Sequence, residues 1–200
     1  MSLSRFISIA LHPIFMPILS IYILLNECPE IIIMIGKYIS YIYGVLFWSS
    51  IIFPLISIAF LIKNKKINSV EMYNHKERPQ PLLIVVIFML LGLYLVNNLL
   101  IYTPLLKSVL VGGILITIFA AIISIFWKIS LHMLGIGGIV GLLIYLQFLK
   151  TPSVNLLVLF IFLSGILGVA RLKQKAHTQK QIYVGYISGI IIFISTLLFY

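Results

Sequence analysis

Seven apolar stretches of near-bilayer length constrain the fold of this chain more than any other feature. They cover roughly residues 6–25, 39–62, 82–102, 108–127, 133–149, 154–170 and 182–200. A helix needs roughly 20 apolar residues to cross the hydrocarbon core of a membrane. Hydrophobic residues make up 62% of the 200 residues and charged residues 9%, whereas about a quarter of a soluble domain is charged. We therefore expect an all-α integral membrane protein, a single domain over residues 1–200 built as a bundle of six to seven transmembrane helices.

The helix count depends on how the chain begins. In the first stretch, Pro13 and Pro17 predict a kink or a tilted, irregular helix, because proline lacks a backbone donor and clashes with the preceding turn. His12 lies beside this kink, and a polar side chain inside an apolar segment is a weak functional candidate. Residues 31–38 are too short to span a membrane alone, and their weakly amphipathic pattern predicts a helix at the membrane interface.

The polar loops alternate between two membrane faces, because each spanning helix reverses the direction of the chain. Loops at about residues 63–81, 128–132 and 171–181 follow the second, fourth and sixth stretches and share one face. That face and the N-terminus carry eleven of the 14 lysines and arginines, and the other face carries Lys37, Lys107 and Lys150. Such a bias is typical of the cytoplasmic side, so we expect these three loops to face the cytoplasm.

Composition also narrows the partners and cofactors. The net charge of +10 comes from cations in short loops beside apolar stretches, which is typical of contacts with membrane lipids. Nucleic acid is not an expected partner. Cys28 is the single cysteine, which excludes an intramolecular disulfide and a multi-cysteine metal site. We expect no cofactor and no bound metal.

Histidines and cations recur together in the three loops of the shared face. Arginine presents a planar fork of donors that matches phosphate oxygens, and lysine adds a compact charge. One histidine could attack phosphorus while another protonates the leaving oxygen. Glu71 and Glu77 are the only carboxylates on this face, too few for a two-metal mechanism. These loops predict phosphate chemistry without a metal, and His75 is expected to be a solvated residue outside that chemistry.

The last of these loops resembles the third motif of the type 2 phosphatidic acid phosphatase superfamily. In that motif, Ser-Arg is followed by five residues, a histidine, three more residues and an aspartate. Arg171 and His177 keep this spacing, with Ala170 in the place of the serine and Gln181 in the place of the aspartate. Glycines follow at positions 185 and 189, at intervals seen in many members.

The other two motifs of the superfamily are matched in part. The second motif, Pro-Ser-Gly-His, resembles the segment that contains Ser130 and His132, in which the proline and the glycine are lost. The first motif, a lysine, six residues and Arg-Pro, is similar to the segment that ends in Arg78 and a proline. Glu71 stands where that lysine belongs, and Lys76 is the candidate replacement.

The resemblance covers residues 71–189 in the order of the superfamily and implies a similar helix bundle in a bacterial cytoplasmic (inner) membrane. The reaction it implies is metal-independent hydrolysis of a lipid phosphate or diphosphate, such as a polyprenyl diphosphate. It implies these residue roles: His177 as the nucleophile that forms a phosphohistidine, His132 as the general acid, Gln181 as the residue that orients His177, and Arg78, Arg171, Ser130 and Lys76 as phosphate ligands.

Two alternatives stay open. Gln181 and Glu71 replace a carboxylate and a lysine of the motifs, which is also the pattern of a catalytically degenerate subunit. Such a subunit would bind lipid within a membrane complex and would have a membrane-protein partner. The other alternative is a small transporter whose first helix is broken between His12 and Pro17, which predicts a cavity at the membrane midplane.

Overall fold

A computed structural model describes residues 2–72, 74–149 and 154–199, and within these ranges the chain forms ten α-helices and no strand. The helices are α1 (Leu3–Ala10), α2 (Met16–Glu27), α3 (Pro29–Ile35), α4 (Ile39–Phe47), α5 (Phe53–Lys63), α6 (Pro79–Val96), α7 (Pro104–Phe126), α8 (Leu131–Phe148), α9 (Val154–Lys173) and α10 (Gln179–Leu198). Seven helical segments in these ranges are long and apolar enough to cross a membrane. The prediction of an all-α integral membrane protein is confirmed, with seven candidate spans.

The first candidate span is broken where its prolines predict a kink. Helix α1 ends at Ala10, a 3-10 turn covers Pro13–Phe15, and α2 begins at Met16. The Nδ1 atom of His12 accepts a hydrogen bond of 3.2 Å from the backbone N–H of Ile14 and so caps this turn. The break is confined to Leu11 and the extended His12, and residues Leu3–Glu27 count as one candidate span of 25 residues.

The second candidate span includes residues 31–38, for which the sequence predicts an interfacial helix. Helices α3, α4 and α5 follow one another as a single segment, Pro29–Lys63, with a 3-10 turn at Gly36–Tyr38 and a π-helical turn at Trp48–Ile52. Ile31 and Ile35 are buried in the main hydrophobic core. Tertiary packing therefore takes one face of this segment into the bundle, and its position at the membrane interface stays a prediction.

Helix α8 is the central element of the bundle. In its spanning window, 67% of the residues are buried, whereas the other six candidate spans reach at most 39%. Ile136, Leu142, Leu143 and Leu146 have no exposed surface. A helix that is apolar on all sides is typically buried at the centre of a bundle.

The backbones of α8 and α10 pack against each other through glycines. A methyl group on Gly137 would collide with the carbonyl oxygen of Tyr186, and one on Gly189 would collide with that of Leu134. A methyl group on Gly185 would lie 2.9 Å from the carbonyl oxygen of Ser130. Small residues of this kind let two helices approach closely within a membrane. The first turns of α8 and α10 therefore lie side by side.

Replacing Gly189 by alanine will separate these two helices. The added methyl group has no space beside Leu134, and overpacking of this kind costs about 1–3 kcal/mol. Gly165 in α9 is the matched control, because a methyl group added there would have no heavy atom within 4 Å. We expect Gly189→Ala to lower the melting temperature of the purified protein, and Gly165→Ala to maintain or raise it. Equal melting temperatures for the two variants would contradict the close packing.

Candidate functional site

Three loops meet at the end of the bundle where α6, α8 and α10 begin. The guanidinium Nη1 of Arg78 donates a hydrogen bond of 2.8 Å to the carbonyl oxygen of Ile129. The backbone N–H of Ser130 donates one of 3.3 Å to the carbonyl oxygen of Gln181. These two bonds tie together segments 63–81, 128–132 and 171–181. Because helix N-termini carry partial positive charge, their convergence favours a bound anion.

Arg78 is held inside this junction. Its side chain is 4% exposed, and its Nε donates a hydrogen bond of 3.1 Å to the carbonyl oxygen of Met72. Met72 has a φ of 43°, a left-handed conformation that is uncommon for residues other than glycine. No carboxylate in the part of the chain that the structure describes is bonded to Arg78. A buried charge with neutral acceptors alone is costly, so the site favours a negatively charged ligand.

Lys128 and Arg171 extend the positive charge around Arg78. Arg171 lies in the last turn of α9, and its Nη1 donates a hydrogen bond of 3.1 Å to Gln174 Oε1. Burial lowers the pKa of Lys128, and the positive charges of Arg78 and Arg171 lower it further. The three cations therefore repel one another. We call Arg78, Lys128 and Arg171 the cation cluster.

A tight turn between α9 and α10 brings His177 to the cation cluster. The N–H of Ala176 bonds to the carbonyl oxygen of Arg171, and the N–H of Lys175 bonds to that of Leu172. Lys175 has a φ of 51°, so this turn has the geometry of a Schellman motif. Thr178 then caps α10. Arg171 lies in the last turn of α9 and His177 lies just before α10, so the turn between the two helices sets their spacing.

Gln181 fixes the tautomer of His177. Its Oε1 accepts a hydrogen bond of 3.1 Å from the backbone N–H of Thr178, which orients the side-chain amide. The same oxygen lies 3.1 Å from His177 Nδ1. Because an amide oxygen only accepts, Nδ1 carries the proton and Nε2 carries the free lone pair. Gln181 thus positions the imidazole as a carboxylate would, but without a negative charge.

Electrostatics keep His177 neutral. Its side chain is 8% exposed, and its pKa is lowered to about 3, chiefly by burial. The hydrogen bond to Gln181 opposes this shift, while the charges of the cation cluster add to it. A neutral imidazole with a free Nε2 lone pair is competent as a nucleophile at physiological pH.

His132 faces the N-terminal helix. Its Nε2 donates a hydrogen bond of 3.0 Å to the carbonyl oxygen of Ser8, and its ring stacks edge-on against His12 with centroids 5.2 Å apart. The proton that the predicted general acid would transfer is already committed to Ser8. His132 therefore needs a change of hydrogen-bond partner before it can protonate a leaving group.

Helix α1 closes the site on this side, through contacts that the motifs do not predict. Gln174 Nε2 donates to the carbonyl oxygen of Ser4 at 2.6 Å and to Ser8 Oγ at 2.9 Å. The Oε1 of the same side chain accepts from Arg171. The available signal in the sequence was the spacing of Ser4 and Ser8, which lie four residues apart and share one face of α1.

The remaining polar residues of the loops have different environments. Ser130 has no exposed surface, and within the described ranges its Oγ has no hydrogen-bond partner. Lys76 is exposed, and its charge is not among those that act on His177. Lys128, in the second of the three loops, is the lysine whose charge acts on His177. The predicted solvation of His75 is wrong, because its Nδ1 lies 2.8 Å from the carbonyl oxygen of Ser124 and the ring is half-buried.

Comparisons with known proteins add no relative. No protein-family model matches the chain, and searches of curated proteins and of solved structures find no match. Among the described residues, no group of three histidine, cysteine or acidic side chains could hold a metal ion. The fold and the site define an all-helical integral membrane protein with a buried cationic cluster beside a neutral histidine. The resemblance to the phosphatase superfamily stays a prediction from the motifs.

The lowered pKa of His177 makes stability depend on pH. Because the pKa is about 3 in the fold and 6.5 for an unperturbed histidine, the unfolded chain binds more protons between these values. Stability therefore falls as pH decreases through this window, by up to about 1.4 kcal/mol per pH unit. When the pH is lowered from about 7 to about 4.5, we expect the melting temperature of His177→Asn to fall less than that of the wild type. Parallel curves for the two proteins would contradict the neutral, buried imidazole.

Proposed function

We propose that this protein is a membrane-embedded phosphatase that hydrolyses a lipid phosphate or diphosphate through a phosphohistidine at His177. One observation supports the proposal above the others. A buried, neutral imidazole with a fixed tautomer lies within the field of Arg78, Lys128 and Arg171. Positive charge arranged in advance beside a nucleophile is what transfer of a phosphoryl group requires.

In the proposed first step, the cation cluster and Ser130 hold the phosphate oxygens. The Nε2 lone pair of His177 attacks phosphorus, and the bond from phosphorus to the leaving oxygen breaks. The leaving oxygen takes a proton from His132 or from water, and the lipid product leaves. Water then attacks phosphorus and breaks its bond to nitrogen, which releases inorganic phosphate and restores His177. Gln181 keeps the proton on Nδ1 through both steps.

The position of the site supports a lipid substrate. The cluster lies at the ends of spanning helices, so a phosphate head group can reach it while the chain stays among apolar side chains. Basic groups at a membrane boundary also attract anionic lipids. The charge bias of the loops supports a site on the cytoplasmic side, and the resemblance to the superfamily implies a bacterial inner membrane.

A second candidate function rests on Gln181. A neutral amide cannot stabilise the positive charge that a phosphohistidine develops, whereas a carboxylate in this position can. The same cluster would then bind a lipid phosphate without cleaving it, as a lipid-binding subunit of a membrane complex. The two candidates share the ligand and differ in turnover.

Phosphate release by the purified protein tests the proposal. The probes are a diacylglycerol phosphate, a single-chain lipid phosphate and a polyprenyl diphosphate. We expect the wild type to release phosphate from at least one probe and His177→Asn to lose about 10³-fold or more of that rate, as nucleophile variants do. His75→Asn is the control, because His75 lies outside the cation cluster, and it should keep the wild-type rate.

A Gln181→Glu variant belongs in the same assay. Glutamate preserves the capping geometry of α10 and adds a negative charge beside His177 Nδ1. We expect release to rise about tenfold or more, which corresponds to about 1.4 kcal/mol of transition-state stabilisation. If neither the wild type nor Gln181→Glu releases phosphate but both still bind the probes, the result would support the lipid-binding subunit and contradict the phosphatase.

A further inference from the structure

A cavity of about 180 Å³ lies within the bundle. Its wall is formed by α2, α6, α7 and α8, with the π-helical turn at Trp48–Ile52 on one side. Every lining residue is buried or half-buried, and none carries an acidic or basic chain other than His12. An apolar cavity of about 150 Å³ is already large enough to take up a small hydrocarbon. This cavity is therefore of a size and chemistry that hydrocarbon can fill.

The cavity begins beside the cation cluster. Met72 lines it and presents its carbonyl oxygen to Arg78. Leu131 lines it and stands between Ser130 and His132 in the chain, while His12 lines it and stacks on the ring of His132. Residues that contact or adjoin the predicted phosphate site thus line the cavity, although the cation cluster itself does not.

The cavity extends from that end toward the middle of the bundle. On α6 its lining reaches from Leu82 to Leu93, and on α7 it reaches from Ala120 to Val109. Eleven residues of helix measure about 16 Å, which is about half of the 30 Å hydrocarbon core of a membrane. A small volume drawn out over such a length is a narrow channel.

The hydroxyl groups in the wall are mostly satisfied inside their own helices. Ser20 donates to the carbonyl oxygen of Met16 at 2.7 Å, and Ser50 donates to that of Leu46 at 2.6 Å. Thr117 donates to that of Gly113 at 2.8 Å. The wall is therefore apolar in effect. Its chemistry disfavours a polar solute, which a small transporter with a broken first helix would carry.

We propose that this channel binds one hydrocarbon chain of the lipid whose phosphate occupies the cation cluster. The head-group half of this inference rests on the proposed function, but the binding of the chain does not require turnover. Because lipid tails elsewhere in the membrane are equally apolar, the favourable free energy of binding comes from dispersion contacts between the chain and the channel wall. A volume of about 180 Å³ drawn out over about 16 Å admits one chain at a time.

Photolabelling locates the chain directly. The probe is a single-chain alkyl phosphate with a diazirine at its far end, incubated with the full-length protein and activated by light. We expect labelled peptides to carry the probe on channel residues such as Met89, Ile114 or Thr117. Ile87 and Ile122 lie on the same two helices but are 63% and 52% exposed. Labelling confined to such outward-facing residues would overturn the proposal.

Substitutions that fill the channel provide the matched controls. Ala120 lines the channel and the neighbouring Ala121 does not, although both are buried. We expect Ala120→Leu to lose channel labelling and Ala121→Leu to keep it, in samples whose thermal unfolding shows them to be folded. Gly113→Ala is the second channel variant, since its methyl group would meet the flexible end of Met89 at 3.3 Å. Equal channel labelling of the folded channel and control variants would also overturn the proposal.

The outcomes separate this inference from the proposed function. Labelling of channel residues without phosphate release from any probe supports binding of the chain in the channel and contradicts the phosphatase activity. Phosphate release with labelling confined to outward-facing residues supports the phosphatase and overturns the channel.

Discussion

The backbone contact between α8 and α10 is the constraint on which the rest of the site depends. In a membrane, helices gain little from hiding apolar surface from one another, so close packing has to supply the specificity. Gly137 and Gly189 allow carbonyl oxygens of the facing helix to approach where any side chain would collide. This contact places Ser130 against Gln181 and sets the first turns of the two helices side by side. A looser contact would separate His177 from the loop that bonds to Arg78.

Electrostatics then define what this junction can hold. Arg78 is buried with carbonyl oxygens as its partners, and Lys128 and Arg171 add charge of the same sign. Three helix N-termini point into the same region. The junction favours a bound anion, and the same charges add to the effect of burial in lowering the pKa of His177. Helix α1 completes the enclosure, because Gln174 links it to Arg171.

Much of the fold could be predicted from sequence, because apolar length alone specifies spanning helices. The packing of segment 31–38 into the bundle could not be predicted, since the burial of Ile31 and Ile35 depends on helices that pack over them. In the site, the spacing of Arg171 and His177 follows from a local turn and is visible in the sequence. The contact between Gln174 and Ser8 joins residues 166 positions apart, and the spacing of Ser4 and Ser8 does not by itself identify Gln174 as their partner. The channel is likewise a property of packing among distant helices, with no motif of its own.

Capture of the covalent intermediate tests the proposed mechanism most directly. The protein would be mixed with a lipid phosphate labelled with radioactive phosphorus, stopped in alkaline detergent, and digested to locate the label by mass spectrometry. We predict a phosphoryl group on Nε2 of His177 that is stable to base and labile to acid, and that is lost in His177→Asn. Phosphate release with the label on another residue, or with no label on the protein at any time point, would contradict the phosphohistidine mechanism.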